Sequence, residues 1–154
     1  MRAFVIVVLL ASAFTTAAKW PPPFVEVRGY SYNRIEPPPG KDRTGHRRMY
    51  YPLFEDNRLT GTVINKAGAR LSANQVQRLL RAITGKHPEH LHAMCFNPHH
   101  GFVFYDASSK PVAWIEVCFE CGNTESWPEG RKLTEDDMDA LLALCKELKL
   151  PHTP

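Results

Sequence analysis

Beyond residue 18 the chain has no apolar run approaching the roughly 20 residues that a membrane-spanning helix needs. It has no internal repeat, and neither sign of charge dominates: 19 Lys and Arg face 16 Asp and Glu, a net +3. Charge alone therefore predicts no nucleic-acid partner. Basic residues gather once, where "KDRTGHRR" holds Lys41, Arg43, Arg47 and Arg48. That run reads as a solvated loop rather than an anion site. Cysteine is limited to positions 95, 118, 121 and 145, enough for two disulfides at most.

What the front of the chain does have is the pattern of a secretory signal peptide. Arg2 supplies a positive start, and Phe4 to Phe14 is apolar except for Ser12. Thr16 and Ala18 stand at −3 and −1 of a cleavage site before Lys19. Residues 1–18 are expected to be removed on export, leaving a periplasmic or extracellular protein of one domain. No cysteine near that site invites lipid modification.

Residues 19–52 are rich in proline, with "PPP" at 21–23 and 37–39. Such triplets favour extended polyproline II and withhold backbone donors from a sheet. The segment is expected to be an extended arm, with several of its aromatics (Trp20, Phe24, Tyr30, Tyr32, Tyr50, Tyr51) packing on the domain. The folded unit is expected over 53–154.

Alternation in "LTGTVINK" predicts a strand over 59–66. "SANQ" reads as a capping box, Ser72 accepting from the amide of Gln75, and opens a helix over 73–84 with Val76, Leu79, Leu80 and Ile83 on one stripe. Gly85 is its stop. "HLHAMCF" predicts a strand over 90–96, and 101–106 with 111–119 a hairpin across "ASSK". "TEDD", capped by Thr134, begins a last helix over 135–149 whose apolar stripe includes Met138, Leu141, Leu142, Cys145 and Leu148. The order β-α-β-β-β-α predicts an α+β domain, an antiparallel sheet with two helices on one face.

Cys145 on that stripe reads as core packing. The other three cysteines converge near one end of the hairpin. Cys95 precedes His99 and His100, and Cys118 and Cys121 form a C-x2-C knuckle followed by Gly122. Three thiolates and one imidazole make a closed structural set for zinc, and the glycine can turn amides toward the sulfurs. Export favours a rival, a disulfide from Cys95 to Cys118 or Cys121 in a metal-free interaction module of the envelope. A thiol enzyme, with Cys95 and a histidine base, ranks last because no orienting third group is visible. Nor does a helix follow the C-x2-C pair, as thioredoxin-type chemistry requires. Glu116 and Glu120, which flank Cys118 at two residues on either side, read as solvated; His87, His90 and His92 read as surface residues.

The stretch from "LSANQVQRLLRAITG" through "CFNPHHGFVFYDASSKPVAWIEVCFECGN" to "LLALCKELKLP" resembles a family of small, often exported bacterial proteins. Their pattern is C-[FY]-x-P-R-H, then F-Y-D, then C-F-x-C. Here it falls on Cys95, Phe96, Pro98, His100, Phe104 to Asp106, Cys118, Phe119 and Cys121, within about half the chain. The resemblance implies an outline rather than an activity. It favours His100 over His99, which stands where the pattern has arginine, so the expected zinc ligands are Cys95, His100, Cys118 and Cys121. Cys145 and the arm lie outside it. No partner beyond an envelope protein is implied.

Overall fold

The alternation in "PVAWIEVC" builds the centre of the molecule: Ala113, Ile115 and Val117 enter one apolar cluster while Trp114 packs against another on the opposite side. The computed structural model describes residues 20–33, 51–88, 93–128 and 136–151. The expected signal peptide, the basic run at 41–48, His90, His92, Thr134 and Glu135 lie outside them. Among the described residues the elements are β1 (Glu26–Ser31), β2 (Phe54–Glu55), β3 (Arg58–Leu59), β4 (Ala69–Arg70), α1 (Ala73–Thr84), β5 (His100–Tyr105), β6 (Pro111–Cys118), β7 (Asn123–Trp127) and α2 (Met138–Glu147). A five-stranded antiparallel sheet has the order β4-β1-β5-β6-β7, and β2 and β3 form a separate small hairpin. This is the α+β architecture expected from the sequence.

The β5–β6 hairpin forms where the two apolar runs flanking "ASSK" placed it, with Phe102 opposite Ile115 and His100 opposite Val117. Its turn is held by Asp106, whose Oδ1 accepts the N–H groups of Ser108 at 2.8 Å and Lys110 at 2.9 Å.

Within 19–52, the described residues 20–33 depart from the expected arm. β1 pairs with β5 along its whole length, from Glu26 opposite Tyr105 to Ser31 opposite His100. The reason lies in its composition: from Phe24 to Asn33 there is no proline, so every amide is free to enter a ladder. Just before it, Trp20 and Phe24 meet Phe104 edge-on, with centroids 5.5 and 5.0 Å apart. The folded unit thus begins well ahead of Leu53.

α1 has the bounds and the cap the sequence predicts. Ser72 Oγ accepts from Gln75 N–H at 3.3 Å, and Gln75 Oε1 accepts from Ser72 N–H at 2.9 Å. Gly85 closes the helix in an extended conformation rather than a left-handed one. A Cβ there would lie 2.5 Å from the Arg81 carbonyl, so space is what the glycine supplies. α2 starts at Met138, capped by Asp137, whose Oδ1 accepts from Ala140 N–H at 2.9 Å. Arg78 on α1 and Glu147 on α2 join the helices through bonds of 2.8 and 2.7 Å. Beneath them Leu79, Phe102, Phe104, Ile115, Val117, Leu141 and Leu144 are buried together. Cys145 is among them, its thiol pushed up to about 12 by burial, as its core-packing reading requires.

Two expected strands take other forms. Over 59–66 only Leu59 belongs to a strand, the end of β3; from Thr60 onward side chains capture the backbone. Thr60 Oγ1 donates to the Pro52 carbonyl at 3.0 Å. Asn65 Oδ1 accepts from Ser31 N–H at 2.8 Å, and its Nδ2 donates to the Gly29 carbonyl at 3.0 Å, completing the outer edge of β1. Of 90–96, the described residues 93–96 are irregular, with Ala93 N–H donating to the Cys121 carbonyl at 2.8 Å. No helix among the described residues is long and apolar enough to cross a membrane.

Candidate functional site

β6 ends at Cys118, a turn follows, and β7 starts at Asn123, directly opposite Cys118. Closing that turn needs a left-handed residue, and Gly122 supplies it at φ 66°. The turn folds Cys121 back so that its own N–H points to Cys118 Sγ at 3.3 Å. A second amide reaches the same sulfur from another segment, Asn97 N–H at 3.4 Å. Asn123 then ties that segment down, its Nδ2 donating to the carbonyls of Cys95 at 2.8 Å and Ala93 at 3.2 Å. The knuckle and the Cys95 segment therefore meet, as hairpin geometry led one to expect.

What they form is a covalent bond. Cys95 and Cys121 are joined by a disulfide with their Cα atoms 5.7 Å apart. Cys95 is an exposed residue, whereas Cys121 and Cys118 are buried, and Cys118 remains a thiol. His100 does not complete a four-ligand set with them. Its Nε2 lies 2.9 Å from the Pro151 carbonyl and its ring packs on Phe119 with centroids 5.4 Å apart. His99 Nδ1 sits 3.4 Å from the Tyr32 carbonyl. Among the described residues no group of three or more His, Cys, Asp and Glu side chains is placed to hold a metal ion. With two sulfurs spent on each other, the oxidised site offers one thiol, which does not fit a structural zinc ion. The pairing likewise removes Cys95 as a ready nucleophile for a histidine base.

One buried acid escaped the sequence reading. Glu116 is 5 % exposed rather than solvated. Its Oε1 accepts from the Tyr32 hydroxyl at 2.8 Å and from Leu53 N–H. Burial pushes its carboxyl up to about 7, with help from Glu125 across β7, against the pull of those two donors. The signal was present in the alternation, since Glu116 shares a face with Trp114 and Cys118. What hid it was the cover: Tyr32 and Leu53 come from the segment read as an arm and its border. Further along the same sheet, Arg70 and Arg28 hold the Glu26 carboxyl down to about 2 through contacts of 2.5 Å each. Nearer the β7 edge, Trp127 stacks on Trp114 at 4.6 Å, and Phe54 lies against Trp114 at 4.8 Å.

No family model, no curated protein and no solved structure matches this chain.

Proposed function

We propose that the protein is an exported, disulfide-stapled interaction module of the cell envelope. The observation that carries this reading is the Cys95–Cys121 bond, which locks the 93–99 segment onto the turn between β6 and β7. A disulfide persists in oxidising compartments, where the signal-peptide pattern at 1–18 and the family resemblance would send the chain. At a sequence separation of 26, closing the loop is worth about 3–4 kcal/mol on the chain-entropy account. Trp127, 45 % exposed at the end of its aromatic stack, offers the kind of ring that protein interfaces favour.

A thiol count under denaturing conditions tests the staple. Protein made with oxidative export should titrate two thiols, Cys118 and Cys145, rising to four after reduction. Cys121→Ser should lower unfolding stability by about 3 kcal/mol. Four free thiols in the exported protein would overturn the reading.

A second reading belongs to the reduced chain, in which Cys95, Cys118 and Cys121 with His100 would hold zinc. It is supported by the two amides aimed at Cys118 Sγ and by the left-handed Gly122, the features of a metal knuckle. Bound zinc would there act as a structural tie between the same two segments. Metal analysis of untagged reduced protein, beside the oxidised form, checks it: about one equivalent in the reduced form alone is the expected result.

A further inference from the structure

The staple leaves one sulfur of the knuckle over. Cys118 sits in the knuckle turn with Cys121, is 1 % exposed, and forms no disulfide of its own. A purely structural bond needs no third thiol beside it. We propose that the knuckle is a thiol–disulfide exchange site, in which Cys118 displaces Cys95 from Cys121 and presents Cys95 to disulfides of other proteins. The proposal rests on the Cys95–Cys121 pairing of the staple.

The geometry supports each part of that exchange. Cys118 and Cys121 are close enough for the amide of one to bond the sulfur of the other at 3.3 Å, so their side chains leave a single tight turn. Cys95 comes from a separate segment and is the exposed member. That segment is held by hydrogen bonds as well as by the disulfide. Asn123 donates to the Cys95 and Ala93 carbonyls, Ala93 N–H donates to the Cys121 carbonyl, and Asn97 N–H reaches Cys118 Sγ. When the Cys95 sulfur is released it therefore remains beside the pair, and the exchange can reverse.

The chemistry balances without an outside oxidant. As the knuckle turn opens, Cys118, buried at rest, gives its proton to solvent, and its thiolate attacks Cys121 Sγ. A Cys118–Cys121 bond forms as the Cys121–Cys95 bond breaks, and the electron pair leaves on Cys95 Sγ. The Cys95 thiolate either takes a proton back or attacks a substrate disulfide, forming a mixed disulfide and expelling a substrate thiolate. Cysteine oxidation is conserved at every step. The nucleophile is placed by a turn and two amides, unlike thioredoxin-type sites that rely on a helix N-terminus.

The test uses the full oxidised chain held near pH 8 without reductant. Native thiols are trapped with one alkylating agent, the protein is unfolded, and remaining thiols receive a second. Cleavage before aspartate, at Asp106 and Asp136, then separates the Cys95 segment from a peptide that keeps Cys118 and Cys121 together. The expected result is native labelling of Cys95 that grows with time, matched by a Cys118–Cys121 bond within the knuckle peptide. Oxidised glutathione, added as the probe disulfide, should leave a glutathione adduct on Cys95. In Cys118→Ser, labelling of Cys95 should slow at least tenfold. Should that variant fail to fold, the wild-type peptide map decides alone. A Cys95–Cys121 bond unchanged over days, with no Cys118–Cys121 peptide, overturns the exchange while leaving the staple standing. Four thiols at the first time point overturn both.

Discussion

The two faces of the sheet bury large side chains in different ways. Under α1 and α2 the cover is regular, and most of the space is filled by apolar side chains such as Phe102, Phe104, Ile115, Leu79 and Leu141. On the other face the cover is irregular chain around 51–65, and the buried rings are Tyr30 and Tyr32 beside Leu53 and Phe54. A helix satisfies its own backbone, so the side chains beneath it can be apolar. A loop brings unpaired amides into the interior, and each needs an acceptor. Leu53 N–H is such an amide, and Glu116 is the acceptor the sheet provides for it. The lesson is that a buried carboxylate can be the price of an irregular lid.

That contrast can be broken at three points. The largest effect should come from the apolar face: Phe104→Ala, which also strips the ring contacts of Trp20 and Phe24, should cost about 3–5 kcal/mol of unfolding stability by denaturant titration. A loss below about 1 kcal/mol would mean that the helix face is not the main core.

The opposite face should respond to pH. The folded carboxyl of Glu116 lies near 7, above its ordinary value of 4.5, so folding favours the protonated form. Its stabilising contribution is complete below the unfolded value and is lost as pH rises through about 7. Moving from pH 8 to pH 5 should therefore add on the order of 2 kcal/mol in the wild type. Glu116→Gln, which keeps an acceptor for Leu53 and Tyr32, should flatten that slope. Equal slopes in the two proteins would remove Glu116 as the titrating group. Glu26 has the opposite sign: Arg70 and Arg28 depress it, so its contribution fades only as pH falls toward about 2.

The smallest effect is local to the helix cover. Ser72→Ala removes half of the capping box and should cost about 1 kcal/mol, read as a shift in the thermal midpoint.

The same contrast explains what the sequence disclosed. α1 and the β5–β6 hairpin were legible because their signals are local: a capping box, a 3.6-residue stripe, and β-branched and aromatic runs on either side of a short polar turn. β1 was obscured by the proline triplets flanking it, and the strand expected at 59–66 by Thr60 and Asn65, whose side chains bond the backbone in place of a ladder. The meeting of Cys95 with the 118/121 knuckle was legible from hairpin return. Which sulfurs would join was not, because C-x2-C followed by glycine serves metal and disulfide alike, and the choice turns on the 93–97 backbone that no periodicity describes.

The Asn65 amide has a consequence for neighbouring molecules as well. Together with Ile64 N–H on the Ser31 carbonyl and Leu71 N–H on the Val27 carbonyl, it occupies polar groups that the two-residue β4 would otherwise leave bare along β1. A flank so filled offers a poor template for a foreign strand, which guards against sheet-to-sheet aggregation on that side.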